Sequence, residues 1–195
     1  MTLLQAIINW FVSLLNFNKS VDPPAPLPYN APQIVLDISH HNSVTDFRAL
    51  KEAGVVGIIF KATQGVKEVD PRFHEYIQDA KALGFLVGAY HFGTGDNVQA
   101  QVDHFLTTIK PYGGILRALD YEKNPNGLTM NLHDARFFVT KVQAETGSWP
   151  KFYSSNLIKD QLGQEKDNVL SNCLLWLAEY GSIPKAQATW KTQWL

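Results

Sequence analysis

The chain has a single cysteine, Cys173, set in an apolar stretch. One thiol cannot close an intrachain disulfide, and its setting reads as a core position rather than a nucleophile. Charge excess is also lacking: 17 basic residues face 18 acidic ones, for a net charge of −1. That leaves no basic field for nucleic acid and no polybasic run for an anionic membrane. No Gly-x-Gly-x-x-Gly or Walker-type loop follows any apolar run, so no nucleotide site is expected, and no cofactor is expected at all. The adjacent His40 and His41 would face opposite sides of an extended segment, and no Cys or nearby His completes a ligand set, so no metal is expected either. Ser39 and Ser154 lack a matched His and Asp, which argues against a serine hydrolase. No repeat of fixed period is visible.

What remains is a composition suited to folding. With 45% hydrophobic and 18% charged residues over 195 positions, the chain can bury the core of one ordinary domain. Residues 1–18 stand apart. Leu3, Leu4, Ile7, Ile8, Phe11, Leu14 and Leu15 recur at helical spacing opposite a narrow polar stripe, which predicts an amphipathic helix. It lacks the basic start and small-residue cleavage site of a secretory signal, and it is too short and too polar for a confident membrane span. Membrane-surface contact through residues 3–15, a partner helix and a degenerate export signal all stay open. Five of the ten prolines then fall between positions 23 and 32, so 19–32 reads as a stiff spacer and 33–195 as the main domain.

From residue 33 onward, apolar runs at 34–38, 55–60, 85–89, 115–119, 151–154 and 174–178 read as strands. Amphipathic stretches at 46–53, 71–83, 98–109 and 131–146 read as helices between them. Asp70 is expected to cap the second of these helices. Such alternation predicts an α/β fold around a parallel sheet. Polar residues gather where the runs end, as a barrel with its active site on the C-terminal rim would show. A doubly wound open sheet is the runner-up. The central run, 115–119, leads into Asp120-Tyr121-Glu122. In a strand, alternate residues share a face, so Asp120 and Glu122 project together while Tyr121 turns away. Two neighbouring carboxylates cannot both ionise freely, and a raised pKa suits a general acid. An Asp-x-Glu pair at a strand end is also compatible with a solvated loop or a cation site. Lys61 is expected to pair with a carboxylate on the rim.

These pieces occur in a familiar order. The segments Asp37-Ile38-Ser39-His40-His41-Asn42, Gly57-Ile58-Ile59-Phe60-Lys61-Ala62-Thr63-Gln64-Gly65, Asp70-Pro71-Arg72-Phe73, Gly88-Ala89-Tyr90-His91-Phe92, Leu119-Asp120-Tyr121-Glu122 and Trp176-Leu177-Ala178-Glu179-Tyr180 follow one another along the chain. In these, the chain from about Ile34 onward resembles the glycoside hydrolase family 25 lysozymes, which are N-acetylmuramidases. The resemblance implies a modified TIM-like (β/α) barrel, parallel at first and antiparallel toward its end. It also implies cleavage of the β-1,4 bond between N-acetylmuramic acid and N-acetylglucosamine in peptidoglycan, outside the cytoplasm, in an extracellular or periplasmic setting. Glu122 matches the family's general acid, Asp120 its partner carboxylate and Asp37 the acidic residue ending the first strand. Tyr90, Tyr153 and Trp176 match positions near the sugar cleft, and His91 shares their strand-end motif.

Asp120 is too close to Glu122 to attack from across the sugar. Two routes stay open: attack by the substrate's own 2-acetamido oxygen with Asp120 orienting it, or attack by water with inversion. Two departures from the family pattern stand out. Gln64 replaces the Glu usual in Lys-Ala-Thr-Glu-Gly, keeping shape and hydrogen bonding. The chain also stops at Leu195, where the family continues into a final strand, so the barrel is expected to lack that strand. A non-catalytic glycan-binding protein, or an inactive truncated relative, is therefore the alternative to an enzyme.

Overall fold

The structure, a computed structural model, describes residues 34–179 and 184–190. The helix expected at 1–18 and the spacer at 19–32 lie outside the described residues. Strands β1 (Ile34–Ile38), β2 (Val55–Gln64), β4 (Leu86–Phe92), β5 (Leu116–Tyr121), β6 (Lys151–Ser154) and β7 (Leu175–Leu177) pair in that order, parallel throughout. The sheet curls into a half-barrel, in keeping with a TIM-like barrel that lacks a strand. A two-residue strand, β3 (Glu68–Val69), pairs antiparallel with the end of β2. Among the described residues that is the one antiparallel strand pair, and the antiparallel strands expected toward the end are not among them.

The helices form where the capping chemistry allows. The Asp46 side chain accepts from the amides of Arg48 and Ala49 and starts α1 (Phe47–Glu52). Asn97 and Asn131 do the same for α3 (Val98–Ile109) and α4 (Leu132–Thr146), and Gly147 ends α4 in the left-handed conformation at φ 74°. Helix α2 (Phe73–Ala82) lies between β3 and β4. A fifth helix, α5 (Asn156–Leu162), has no counterpart in the sequence reading; only seven residues long, it is too short for a periodic pattern to stand out.

The core lies between the sheet's convex face and the helices. Ile58, Phe60, Ala62, Ala89, Leu119, Tyr121, Phe152 and Leu175, alternate residues of the strands, are almost wholly buried there with Phe105, Phe138 and Val139. The 3-10 turn Ala188–Trp190 closes this core, with Trp190 stacked on Phe152 at 5.5 Å and its Nε1 donating to the Cys173 carbonyl at 2.9 Å. Cys173 is buried as expected, and burial pushes its thiol up to about 12. The other residues of each strand face the concave side.

Candidate active site on the concave face

Strand register builds the site. Asp120 on β5 pairs with Tyr153 on β6, which pairs with Trp176 on β7, and residues paired in register share a face. One side chain from each strand therefore forms a row across the sheet. Tyr90 joins it from β4 and Asp37 from β1. Together with Glu122, just past the end of β5, these residues line a pocket of about 190 Å³. Tyr153 and Trp176 meet edge to face at 5.0 Å. Six of the seven site residues expected from the sequence are thus in one place.

His91 is the exception. As the neighbour of Tyr90 in a strand it must point to the other face, and it does. It is wholly buried under the helices, with Nδ1 2.8 Å from the Thr63 hydroxyl and Nε2 3.1 Å from Gln101 Oε1. Its ring stacks on Phe138 at 5.0 Å. Burial lowers its pKa to about 3, so it is a neutral core imidazole and not a sugar contact.

The electrostatics of the pocket are those of crowded carboxylates. Asp120 retains some surface, yet its Oδ1 is shut off from solvent and meets no hydrogen-bond partner among the described residues. Burial, then repulsion from Glu122, raises its pKa well above the ordinary Asp value; Lys61 opposes this and Asp37 adds to it. Half-buried Glu122 is raised by burial and by Asp37. Asp37 stays more open, and the protein around it raises its pKa by desolvation alone. Tyr90 is raised by burial and then by the nearby Asp120, so its phenol keeps its proton and remains a donor.

The backbone under the carboxylates is held from both sides. The Gly93 amide donates to the Asp120 carbonyl at 3.0 Å. A Cβ at Gly93 would meet the far end of the Met130 side chain at 2.9 Å, so a larger residue there would have to push that side chain aside. On the other side, the wholly buried Ser154 hydroxyl donates to the Tyr121 carbonyl at 2.8 Å, fixing the peptide that leads into Glu122. Tyr121 turns away as expected, its hydroxyl donating to Gln161 Oε1 at 2.6 Å. Ser154 was not found as a positioning group from the sequence, because a serine at a strand end carries no distinguishing signal.

Around the rim, Lys61 Nζ donates to Gln64 Oε1 at 2.6 Å and lies 3.6 Å from Glu68, the carboxylate partner expected for it. Gln64 thus keeps the hydrogen bond anticipated for it. Asp70 does not cap helix α2. Its Oδ1 accepts from the Arg72 amide, while Oδ2 accepts from the His40 amide at 3.0 Å and lies 2.7 Å from His40 Nδ1, tying the loop after β1 to the turn before α2. The rings of His40 and His41 pack together at 3.8 Å rather than facing opposite ways, because the chain has left the strand and turned.

Comparison with known proteins supplies a context for this geometry. Residues 36–195 match the family described as glycosyl hydrolases family 25. An autolytic lysozyme of Clostridium acetobutylicum is 26% identical over 163 residues, which cover 80% of this chain and 48% of that protein. The chain thus spans only a third to just over half the length of the curated relatives it matches. Among solved structures, a muramidase from Acremonium alcalophilum is 29% identical with a TM-score of 0.69, over 81% of this chain and 84% of that one. A family GH25 lysozyme from Aspergillus fumigatus, also 29% identical, has a TM-score of 0.68 over 81% and 82% of the two chains.

Proposed function

The chain belongs to the glycosyl hydrolases family 25, and from that premise we propose that it is a peptidoglycan hydrolase, an N-acetylmuramidase that cleaves the β-1,4 bond between N-acetylmuramic acid and N-acetylglucosamine. The observation that carries this reading is the Asp120 carboxylate. A buried oxygen without a partner among the described residues, in a pocket it shares with Glu122, Tyr90, Tyr153 and Trp176, leaves an acceptor for a donor from outside the chain. The N–H of a 2-acetamido sugar is such a donor.

Glu122 is the general acid that protonates the departing glycosidic oxygen. Asp120 and Glu122 titrate as a pair, and in the empty cleft the deeper Asp120 favours the shared proton. An acetamide N–H on Asp120 Oδ1 favours its ionised form, as Lys61 already does, and leaves the proton with Glu122. Ionised Asp120 then orients the acetamide so that its oxygen attacks the anomeric carbon as the bond to the departing, Glu122-protonated oxygen breaks; water, giving a proton back to Glu122, then opens the cyclic intermediate, the substrate-assisted route. Asp37 flanks the developing positive charge, Tyr90 donates a hydrogen bond to the sugar, and Tyr153 and Trp176 pack against its apolar face. No metal or cofactor enters this scheme. Acting on cell-wall glycan places the work outside the cytoplasm.

Clearing of purified cell walls, with release of new reducing ends, tests the reading. Glu122→Gln keeps the shape and removes the proton, so it should slow clearing by roughly 10²–10⁴-fold. Equal clearing by both proteins removes Glu122 from the acid role. Wall binding without new reducing ends by the wild type would favour a glycan-binding protein instead.

A further inference from the structure

Among the described residues, two buried side-chain atoms lack a hydrogen-bond partner, and both belong to β5. One is Asp120 Oδ1 in the cleft. The other is Arg117 Nε, an odd number of residues earlier and therefore on the opposite face. A guanidinium stays charged and is all donor, so leaving part of it idle has a cost. Its Nη1 lies 3.1 Å from the Ser148 hydroxyl, its one partner among the described residues. Arg117 lines a cavity of about 460 Å³ at the end of the sheet where β5 begins, away from the catalytic rim. Leu106, Ile109 and Lys110, at the end of α3, form one wall, and Glu145 and Thr146, at the end of α4, form another. The exposed side chains of Lys110 and Glu145 make no hydrogen bond or ion pair among the described residues. The helix ends turn partial negative charge toward the two cations, which suits them but gives Nε no acceptor.

We propose that this cavity binds the free end of a short peptide, with its terminal carboxylate on Arg117 and Lys110 and a neighbouring amine on Glu145. The charges select the class. A carboxylate matches the paired donors along one edge of a guanidinium, the edge that here includes the idle Nε. A polyol phosphate would bring repeated negative charge against Glu145, and a neutral sugar would leave all three charges unanswered. Leu106 and Ile109 suit the aliphatic carbons between the two ionic ends. The peptide stems carried by cell-wall glycan have ends of this kind; that source, though not the site, rests on the function proposed above.

Isothermal titration of the full chain with N-acetyl-Ala-Lys-Ala-Ala, free at its C-terminus, tests this without turnover. Amidating that terminus should weaken binding by roughly tenfold or more, the loss of a charge-assisted hydrogen bond. Arg117→Met keeps the buried stem and removes the fork, so it should weaken the free-acid peptide by a similar factor and leave the amidated one unchanged. Glu145→Gln alters an exposed residue and so keeps the fold; acetylating the peptide's lysine should weaken binding to wild type but not to this variant. No binding by wild type, equal binding of acid and amide, or tighter binding of inorganic phosphate than of the peptide would each overturn the assignment. Peptide binding by a chain that leaves cell walls intact would keep this site and remove the muramidase reading. Wall clearing without peptide binding would do the reverse.

Discussion

The two faces of one sheet follow opposite rules. On the convex face, Phe60, Leu119, Tyr121 and Phe152 are at most 1% exposed, and the wholly buried polar side chains among them are paired: His91 with Thr63 and Gln101, Ser154 with the Tyr121 carbonyl; Arg117 Nε, at the start of β5, is the group there without a partner among the described residues. On the concave face, the same strands present Asp37, Lys61, Tyr90 and Asp120, with an acceptor oxygen left unpaired. The apolar residues there are divided: Leu86 is 74% and Val35 53% exposed, while Ile59 and Ala118 are buried. The contrast teaches that alternation along a strand does more than separate core from solvent. It separates residues that hold the fold from residues held in unfavourable settings by it.

Asp120→Asn probes that contrast most sharply. On cell walls it should slow turnover by roughly 10²–10³-fold, the usual loss when a group aimed at developing charge is removed. Stability should move the other way. Burial lifts the folded pKa of Asp120 above its unfolded value, so the folded state binds the extra proton between the two. The wild type is therefore relatively most stable at low pH and loses that contribution as pH rises toward the folded pKa. At neutral pH the Asn variant should melt higher, with roughly 2–4 °C of shift for each kcal/mol relieved, and the gap should close as pH falls to the ordinary Asp value of 3.8. Calorimetry across pH reads this directly; a variant that melts lower than wild type at pH 7 would break the comparison.

Truncating one residue on each face gives the next largest effect. Phe138 is wholly buried between His91 and Phe105, so Phe138→Ala should cost about 3–5 kcal/mol in urea unfolding. Leu86→Ala, on the exposed face, should stay within about 0.5 kcal/mol. Equal costs would mean that the concave face is packed as a core. Ser154→Ala is the smallest change. It should cost about 1 kcal/mol for the lost hydrogen bond, and it should lower kcat more than it raises KM because it frees the peptide before Glu122. Ser154→Thr should restore much of that rate. A change confined to stability would make Ser154 structural only.

Much of this was legible in the sequence, for reasons that also explain the gaps. Asp120 and Glu122 could be read as a pair because strand geometry has a period of two, and the same period should have sent His91 to the opposite face from Tyr90. Grouping these two neighbours by their motif overrode that rule. Strands β1 and β6 and helix α3 have the bounds their apolar patterns gave. Strand β2 runs four residues beyond its apolar run, to Gln64, because β3 returns to pair with Thr63 and Gln64. Asp70 had the composition of a cap but was drawn away by His40, a partner 30 residues distant. Ser155 and Asn156, past β6, and Glu179, past β7, could not be linked to Glu122 from spacing at all; the pairing of β5, β6 and β7 brings them with it to one cavity.

Two tryptophans sit on opposite sides of the sheet, Trp176 in the cleft and Trp190 sealed in the core at 1% exposure. Their indoles therefore experience different surroundings, one wet and one dry. In fluorescence, the first is a native gauge of occupancy and the second a native gauge of melting, so variants that keep one of them and replace the chain's other four tryptophans would let glycan binding and loss of structure be followed separately without an attached dye.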